Sequence, residues 1–264
     1  MQGFSTYSRI HLTRQGRILT VALSAGSVNA VDAAMHHELA RVFTEAQDDA
    51  DSDLIVLTGE GKAFCAGGDT TWFKLQIDEP KNFRAIVPEA KRIVSSLLDL
   101  EKPIICRFNG AAAGLGATIA LLCDVVVAAE NAVIGDPHVK VGLVAGDGGA
   151  LIWPQLIGYA KAKRYLFTGD LLTAAEAERI GLISEVVPDA DLDASVYGLA
   201  EHLAAGPLKA MNWTKVVANL PLKALFHAHF DAGVAYESMS NLSADHQEAV
   251  AAFREKRKPV FTGK

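Results

Sequence analysis

The chain has 264 residues, half of them hydrophobic, and its 25 Lys+Arg against 31 Asp+Glu exclude a basic surface for nucleic acid or anionic membrane. Three cysteines, Cys65, Cys106 and Cys123, are odd in number and far apart, which fits a reduced compartment and neither a disulfide framework nor a Cys-x-x-Cys metal site. The longest uncharged run, from Phe108, is cut by Asp124, and the first residues lack a signal-peptide profile, so a soluble cytoplasmic protein is expected.

In chain order, Ile18–Leu23 reads as a buried strand, and Met35, Leu39, Val42, Phe43 and Ala46 recur at helical spacing. Leu54–Leu57 is a second strand, Ala90–Leu98 a second helical stripe, and Ile104–Cys106 and Val125–Val127 are further strands. Their near-continuous apolar character suggests burial on both faces. The alternation, with Asn109-Gly110 as the one tight hairpin signal, predicts an α/β protein with a parallel sheet.

Thr173-Ala174-Ala175-Glu176 has the form of a capping box, and Leu182–Val187 is the last expected strand. After Gly206-Pro207 come three helical patterns, Leu208–Asn219, Leu222–Ser240 and Ser243–Lys256, separated by Pro221 and Asn241. The expected organisation is therefore a core over residues 1–199 and a helical region over 200–264, packed on the core or on another subunit.

Of 22 glycines, 12 fall between Gly59 and Gly149, and they concentrate in two segments of one grammar: buried strand, glycine loop, helix. Such loops turn backbone N–H groups outward at a helix start, and two converging N–H groups make an oxyanion hole. Tight turns or close packing would also account for the glycines. Gly114-Leu115-Gly116 opens like a dinucleotide fingerprint, but Ile119 stands at its third glycine position, and no P-loop is present.

Several motifs resemble, in order, those of the crotonase (enoyl-CoA hydratase/isomerase) superfamily. They are Gly61-Lys62-Ala63-Phe64-Cys65-Ala66-Gly67-Gly68-Asp69, Asn109 to Gly116, Cys123-Asp124, Gly135-Asp136-Pro137, Gly142 to Gly149, and the tail Ala252 to Pro259. The resemblance implies a spiral of ββα units with a C-terminal trimerisation region, as a homotrimer or a dimer of trimers. It implies an acyl-CoA substrate, with no cofactor beyond the coenzyme A of that substrate. By position, Gly68 and Leu115 would supply the oxyanion N–H donors. Lys62, Ala63, Ala66, Gly67, Asp69, Gly114 and Thr118 would lie along the CoA or acyl group. Phe253 and Lys256 match residues that touch the CoA from a neighbouring subunit, although Lys256 also reads as solvated surface.

The departures concern the side chains. The two positions that carry glutamates in standard hydratases are Thr118 and His138, and Thr118 cannot serve as a general base. His138 can exchange protons near neutrality, and Asp147, nine residues on, could fix its tautomer. A packed His138 with Asp147 capping the helix from Gly148 is the ordinary alternative. The first functional reading is a hydratase/isomerase-type enzyme with His138 and Asp147 in place of the glutamates. The same His and Asp positions also resemble those of ring-opening β-diketone hydrolases, so C–C or thioester hydrolysis is an alternative, and a non-catalytic acyl-CoA-binding homologue a third. His36 and His37 read as helix surface, and Glu237, which could approach the site from the tail, reads first as a solvated residue. Cys65 reads as a small hydrophobe, and the His, Cys and carboxylate spacings imply no metal.

Overall fold

The computed structural model describes residues 3–264. It opens with a hairpin, β1 (Ile10–Gln15) and β2 (Ile18–Leu23), whose turn places Gly16 at φ +57. Helix α1 (Ala33–Asp48) follows, capped by Asp32, whose carboxylate accepts from Met35 N–H. Three turns of one pattern come next. The first is β3 (Leu54–Gly59), β4 (Ala63–Cys65), α2 (Thr70–Asp78) and α3 (Pro80–Asp99). The second is β5 (Ile104–Phe108), β6 (Ala111–Ala113) and α4 (Leu115–Leu121). The third is β7 (Val125–Ala129), β8 (Val133–Gly135), a 3₁₀ turn at His138–Val141 and α5 (Gly149–Ile157).

The first strand of each turn enters one sheet and the second enters another. The large sheet has the order β1-β2-β3-β5-β7-β10 and is parallel except for β1; the small one has the order β4-β6-β8-β9. The remaining elements are α6 (Tyr159–Thr168), β9 (Leu172–Thr173), α7 (Ala174–Arg179), β10 (Glu185–Val187), α8 (Leu192–Ala204), α9 (Leu208–Asn241) and α10 (Ala244–Arg254). This is a spiral of ββα units followed by helices.

Burial on both faces explains the continuous apolar strands. Ile18, Leu54, Val56, Ile105 and Val127 pack with Leu192, Val196 and Ala200 of α8. The alternate residues, such as Leu19, Ile55, Leu57 and Cys106, face the main core with α1 and α3. All six residues of β3 are buried.

Three expectations change. Asn109-Gly110 is a corner between two sheets, not a hairpin: a Cβ on Gly110 would lie 2.0 Å from Lys62 O. Pro221 does not divide the tail, because α9 runs through it as one helix of 34 residues. Its side chains tie it to the core at several points: Lys215 pairs with Asp124 at 2.8 Å and Lys223 with Asp99 at 2.9 Å. Tertiary packing thus overrides the local helix-breaking signal. Finally, the 199/200 boundary lies inside α8, and Phe226, Phe230 and Val234 of α9 share the main core. Among the described residues, no helix is long and apolar enough to cross a membrane.

Candidate active site

Between the glycine loops, the 3₁₀ turn and the two last helices lies a cavity of about 480 Å³. Gly68 and Leu115 both line it. Val31 N–H donates to Gly67 O at 2.8 Å, and Asp69 N–H donates to Val31 O at 2.9 Å. This parallel bridge uses the groups on either side of Gly68 and leaves the Gly68 N–H turned away from Val31. Leu115 is the first residue of α4, so its N–H has no partner within the helix. Two backbone donors therefore border one cavity, as an oxyanion site requires. A Cβ at Gly68 or at Gly114 would crowd a neighbouring ring. A Cβ on Gly68 would meet Phe73 Cζ at 2.3 Å, and Gly114 sits at φ +53 with His138 Cε1 3.2 Å from where its Cβ would be.

His138 stands at the start of the 3₁₀ turn, next to Pro137, and also lines the cavity. Its Nδ1 donates to Asp136 Oδ1 at 2.5 Å, and its Nε2 lies 3.5 Å from Asp147 Oδ2. Burial alone would push the imidazole towards neutrality, but the two carboxylates outweigh it and hold His138 well above the usual histidine range. The Asp147 side chain does not cap α5; the cap position is Gly148, with no side-chain bond. Asp147 is buried, and its Oδ1 has no hydrogen-bond partner. The carboxylate is thus free on one oxygen and aimed at an imidazolium on the other.

Glu237 completes the cluster and corrects the surface expectation. It is only 7% exposed and lines the cavity, with its Cβ 2.9 Å from where a Cβ on Gly146 would be. Desolvation and the nearby Asp147 charge push its carboxyl well above the usual range, which favours the protonated form. The signal was present in the sequence. Phe226, Phe230, Val234, Glu237 and Asn241 form the buried stripe of α9, and a carboxylate on such a stripe is not solvated.

Asp136 stands in the sequence only as part of a motif, and the fold brings its carboxylate onto His138 two residues on. His36 also departs from expectation: it is buried and lines the cavity, whereas His37 is exposed. Of the other sequence-derived residues, Ala66, Gly67, Gly114 and Phe253 line the cavity. Here Phe253 reaches the cavity of its own chain. Lys62, Ala63, Thr118 and Lys256 do not line it. Thr118 is fully buried with Oγ1 unpartnered. Asp69 is engaged as the cap of α2, accepting from Thr71 and Trp72 N–H. Cys65 is buried beside the oxyanion loop, which pushes its thiol up to about 12 and makes it inert.

The spacings implied no metal-type cluster, yet the fold gathers donor atoms of Asp136, His138 and Asp147 within 4.8 Å of one another. The imidazole lies between the carboxylates, one nitrogen facing each, and this arrangement suits a proton chain.

The fold and the paired backbone donors define an α/β enzyme class built on the ββα spiral. The enoyl-CoA hydratase/isomerase family model matches residues 13–264, and the chain belongs to that family. It is 36% identical over 238 residues to a probable enoyl-CoA hydratase of Rhodobacter capsulatus, covering 90% of this chain and 91% of that one. An enoyl-CoA hydratase/isomerase structure from Mycobacterium paratuberculosis superposes with a TM-score of 0.90 at 33% identity, covering 94% and 99% of the two chains. A β-diketone hydrolase from the cyanobacterium Anabaena, bound to (S)-3-oxocyclohexyl acetic acid, superposes with a TM-score of 0.83 at 31% identity, covering 89% and 95%.

Proposed function

We propose that this protein hydrolyses a carbon–carbon bond of a β-dicarbonyl acyl group, with an acyl-CoA thioester as the family's substrate class. The observation that carries the reading is His138, held between Asp136 and Asp147 at one of the two positions where hydration would need a glutamate, the other being the non-ionising Thr118. The pKa directions separate the roles: His138 and Glu237 are acids, and Asp147 keeps a free carboxylate oxygen.

The Asp147 carboxylate takes a proton from water as the water oxygen bonds to the substrate carbonyl carbon. The resulting oxyanion is met by Gly68 and Leu115 N–H. Its collapse breaks the C–C bond, and the electron pair leaves as an enolate onto the second carbonyl. The neutral Glu237 carboxyl donates a hydrogen bond to that enolate oxygen, and His138 gives its proton to the enolate carbon. The proton on Asp147 then returns to His138 across the 3.5 Å gap, and one water has been added to give a carboxylic acid and a ketone from a β-diketone, or a carboxylic acid and a shortened acyl-CoA from a β-ketoacyl-CoA. The β-diketone hydrolase likeness supports the same reading.

Hydration or isomerisation of an enoyl-CoA is the second reading, supported by the backbone donors and by the relatives of that name. Turnover of cyclic β-diketones and β-ketoacyl-CoA esters in H₂¹⁸O separates the two. The expected product carries one ¹⁸O in its new carboxylate. Hydration or α-proton exchange of enoyl-CoA, with every β-dicarbonyl left intact, overturns the hydrolase reading.

The exposed Trp213, Val217, Leu220, Tyr236 and Met239 along α9 support association of this chain with copies of itself, as a trimer or a pair of trimers.

A further inference from the structure

Away from His138, the cavity wall is built by Trp72 of α2 and by Phe83, Ile86, Val87 and Ala90 of α3. Two polar side chains interrupt this apolar surface, His36 of α1 and Gln76 of α2, and both line the cavity. They are 3% and 2% exposed, so water does not solvate them from outside. His36 Nδ1 lies 2.9 Å from Glu89 Oε2, and the other Glu89 oxygen lies 2.7 Å from His37 Nδ1. The two histidines hold Glu89 down at about 2, against the opposing effect of its partial burial, so it is an ionised, acceptor-only group. Nδ1 of His36 therefore donates to Glu89, which leaves Nε2 as the ring nitrogen that Glu89 does not engage. Trp72, with ring centroids 5.4 Å apart, packs against the imidazole and fixes its plane. No protein hydrogen bond engages His36 Nε2 or the Gln76 carboxamide among the described residues, and both residues face the cavity, where a ligand group can meet them.

We propose that His36 and Gln76 form a second polar anchor that binds a hydroxyl group on the acyl portion, remote from the bond that is cleaved. The hydroxyl, which can both donate and accept, bonds to His36 Nε2 and to the Gln76 carboxamide, engaging both cavity-facing groups with one oxygen. Glu89 is a positioning residue, acting through the tautomer and orientation of His36. The inference rests on the reading of this cavity as the substrate site, and it narrows the substrate to an oxygenated acyl group, cyclic or branched, in place of a plain alkyl chain.

The test is binding, which needs no turnover. Calorimetry compares cyclohexylacetic acid with hydroxycyclohexylacetic acid on the full-length wild type and on His36→Phe, Gln76→Met and Glu89→Gln. The wild type is expected to prefer the hydroxylated acid by about 10-fold or more, since the analogue leaves buried groups unpaired. His36→Phe and Gln76→Met each erase most of that preference, and Glu89→Gln reduces it. Gln76→Met is near-isosteric and keeps the test decisive should His36→Phe not fold. Equal wild-type affinity for the two acids, or an intact preference in both variants, overturns the anchor. A preserved binding preference without any β-dicarbonyl cleavage would sink the proposed reaction and leave the anchor standing.

Discussion

His138 Nδ1 lies 2.5 Å from Asp136 Oδ1, a short bond to a carboxylate that has no exposure to solvent. Asp136 is the stronger of the two carboxylate influences on His138, and its other oxygen has no partner. Replacing Asp136 with Asn keeps the shape but removes the charge that orients and protonates the ring. The titration of His138, followed by NMR, is expected to move down towards the ordinary histidine range, and turnover to fall by about 10³-fold or more. An unmoved titration would show that this carboxylate does not govern the ring.

The pH dependence of stability follows from Glu237. Its folded pKa lies above the unfolded value near 4.5, so the folded state binds the extra proton as pH rises past that value. Stability associated with this group is full below pH about 4.5 and is lost progressively as pH climbs towards the folded pKa. Glu237→Gln mimics the protonated form and does not titrate. Its melting temperature should match the wild type near pH 5 and exceed it increasingly towards pH 8, while catalysis falls through changes in the hydrogen bond to the enolate. A constant offset across pH would contradict the assignment.

Much of the architecture was legible because the large-sheet strands are apolar on both faces, as in Leu54–Leu57 and Val125–Val127. The short strands β4, β6 and β8 were not, since three residues such as Ala111–Ala113 carry no periodicity. The backbone half of the site was readable through Gly67, Gly68 and Gly114, where close approach or positive φ demands glycine. His138 and Asp147 were singled out from their positions in the chain. Asp136 is not marked out by its position, and for Glu237 surface solvation outweighs an approach to the site from the tail. The Asp136 side chain turns onto His138 two residues on, which the spacing alone does not announce, and Glu237 lies on an α9 stripe whose period is visible in the sequence while its docking partner is not.

Gly114→Ala tests the coupling between the oxyanion loop and the acid. Alanine at φ +53 is strained by about 1–3 kcal/mol, and its Cβ would stand 3.2 Å from His138 Cε1. Both effects act at one point, displacing Leu115 N–H and the imidazole together. Thermal melting should report the strain as a lower melting temperature. The rate should fall well beyond what the lost stability explains, with binding of cyclohexylacetic acid less affected than turnover. Parallel losses in stability, binding and rate would argue for general distortion instead.

Pro221 offers a test of how α9 is held. It lies inside a 34-residue helix on an exposed position, where it removes one backbone donor and crowds the preceding turn. The helix continues because Lys215 and Lys223 anchor its side chains on either side of the proline and Phe226 docks in the core shortly after. Pro221→Ala restores the missing N–H without touching those anchors. It is expected to raise the melting temperature, by an amount bounded by the roughly 3 kcal/mol that separates Pro from Ala in a helix interior. Activity should be unchanged, since Pro221 does not line the cavity. A lower melting temperature would mean that the proline sets a bend that α9 needs in order to bring Val234 and Glu237 to the site, and the same variant would then lose turnover as well.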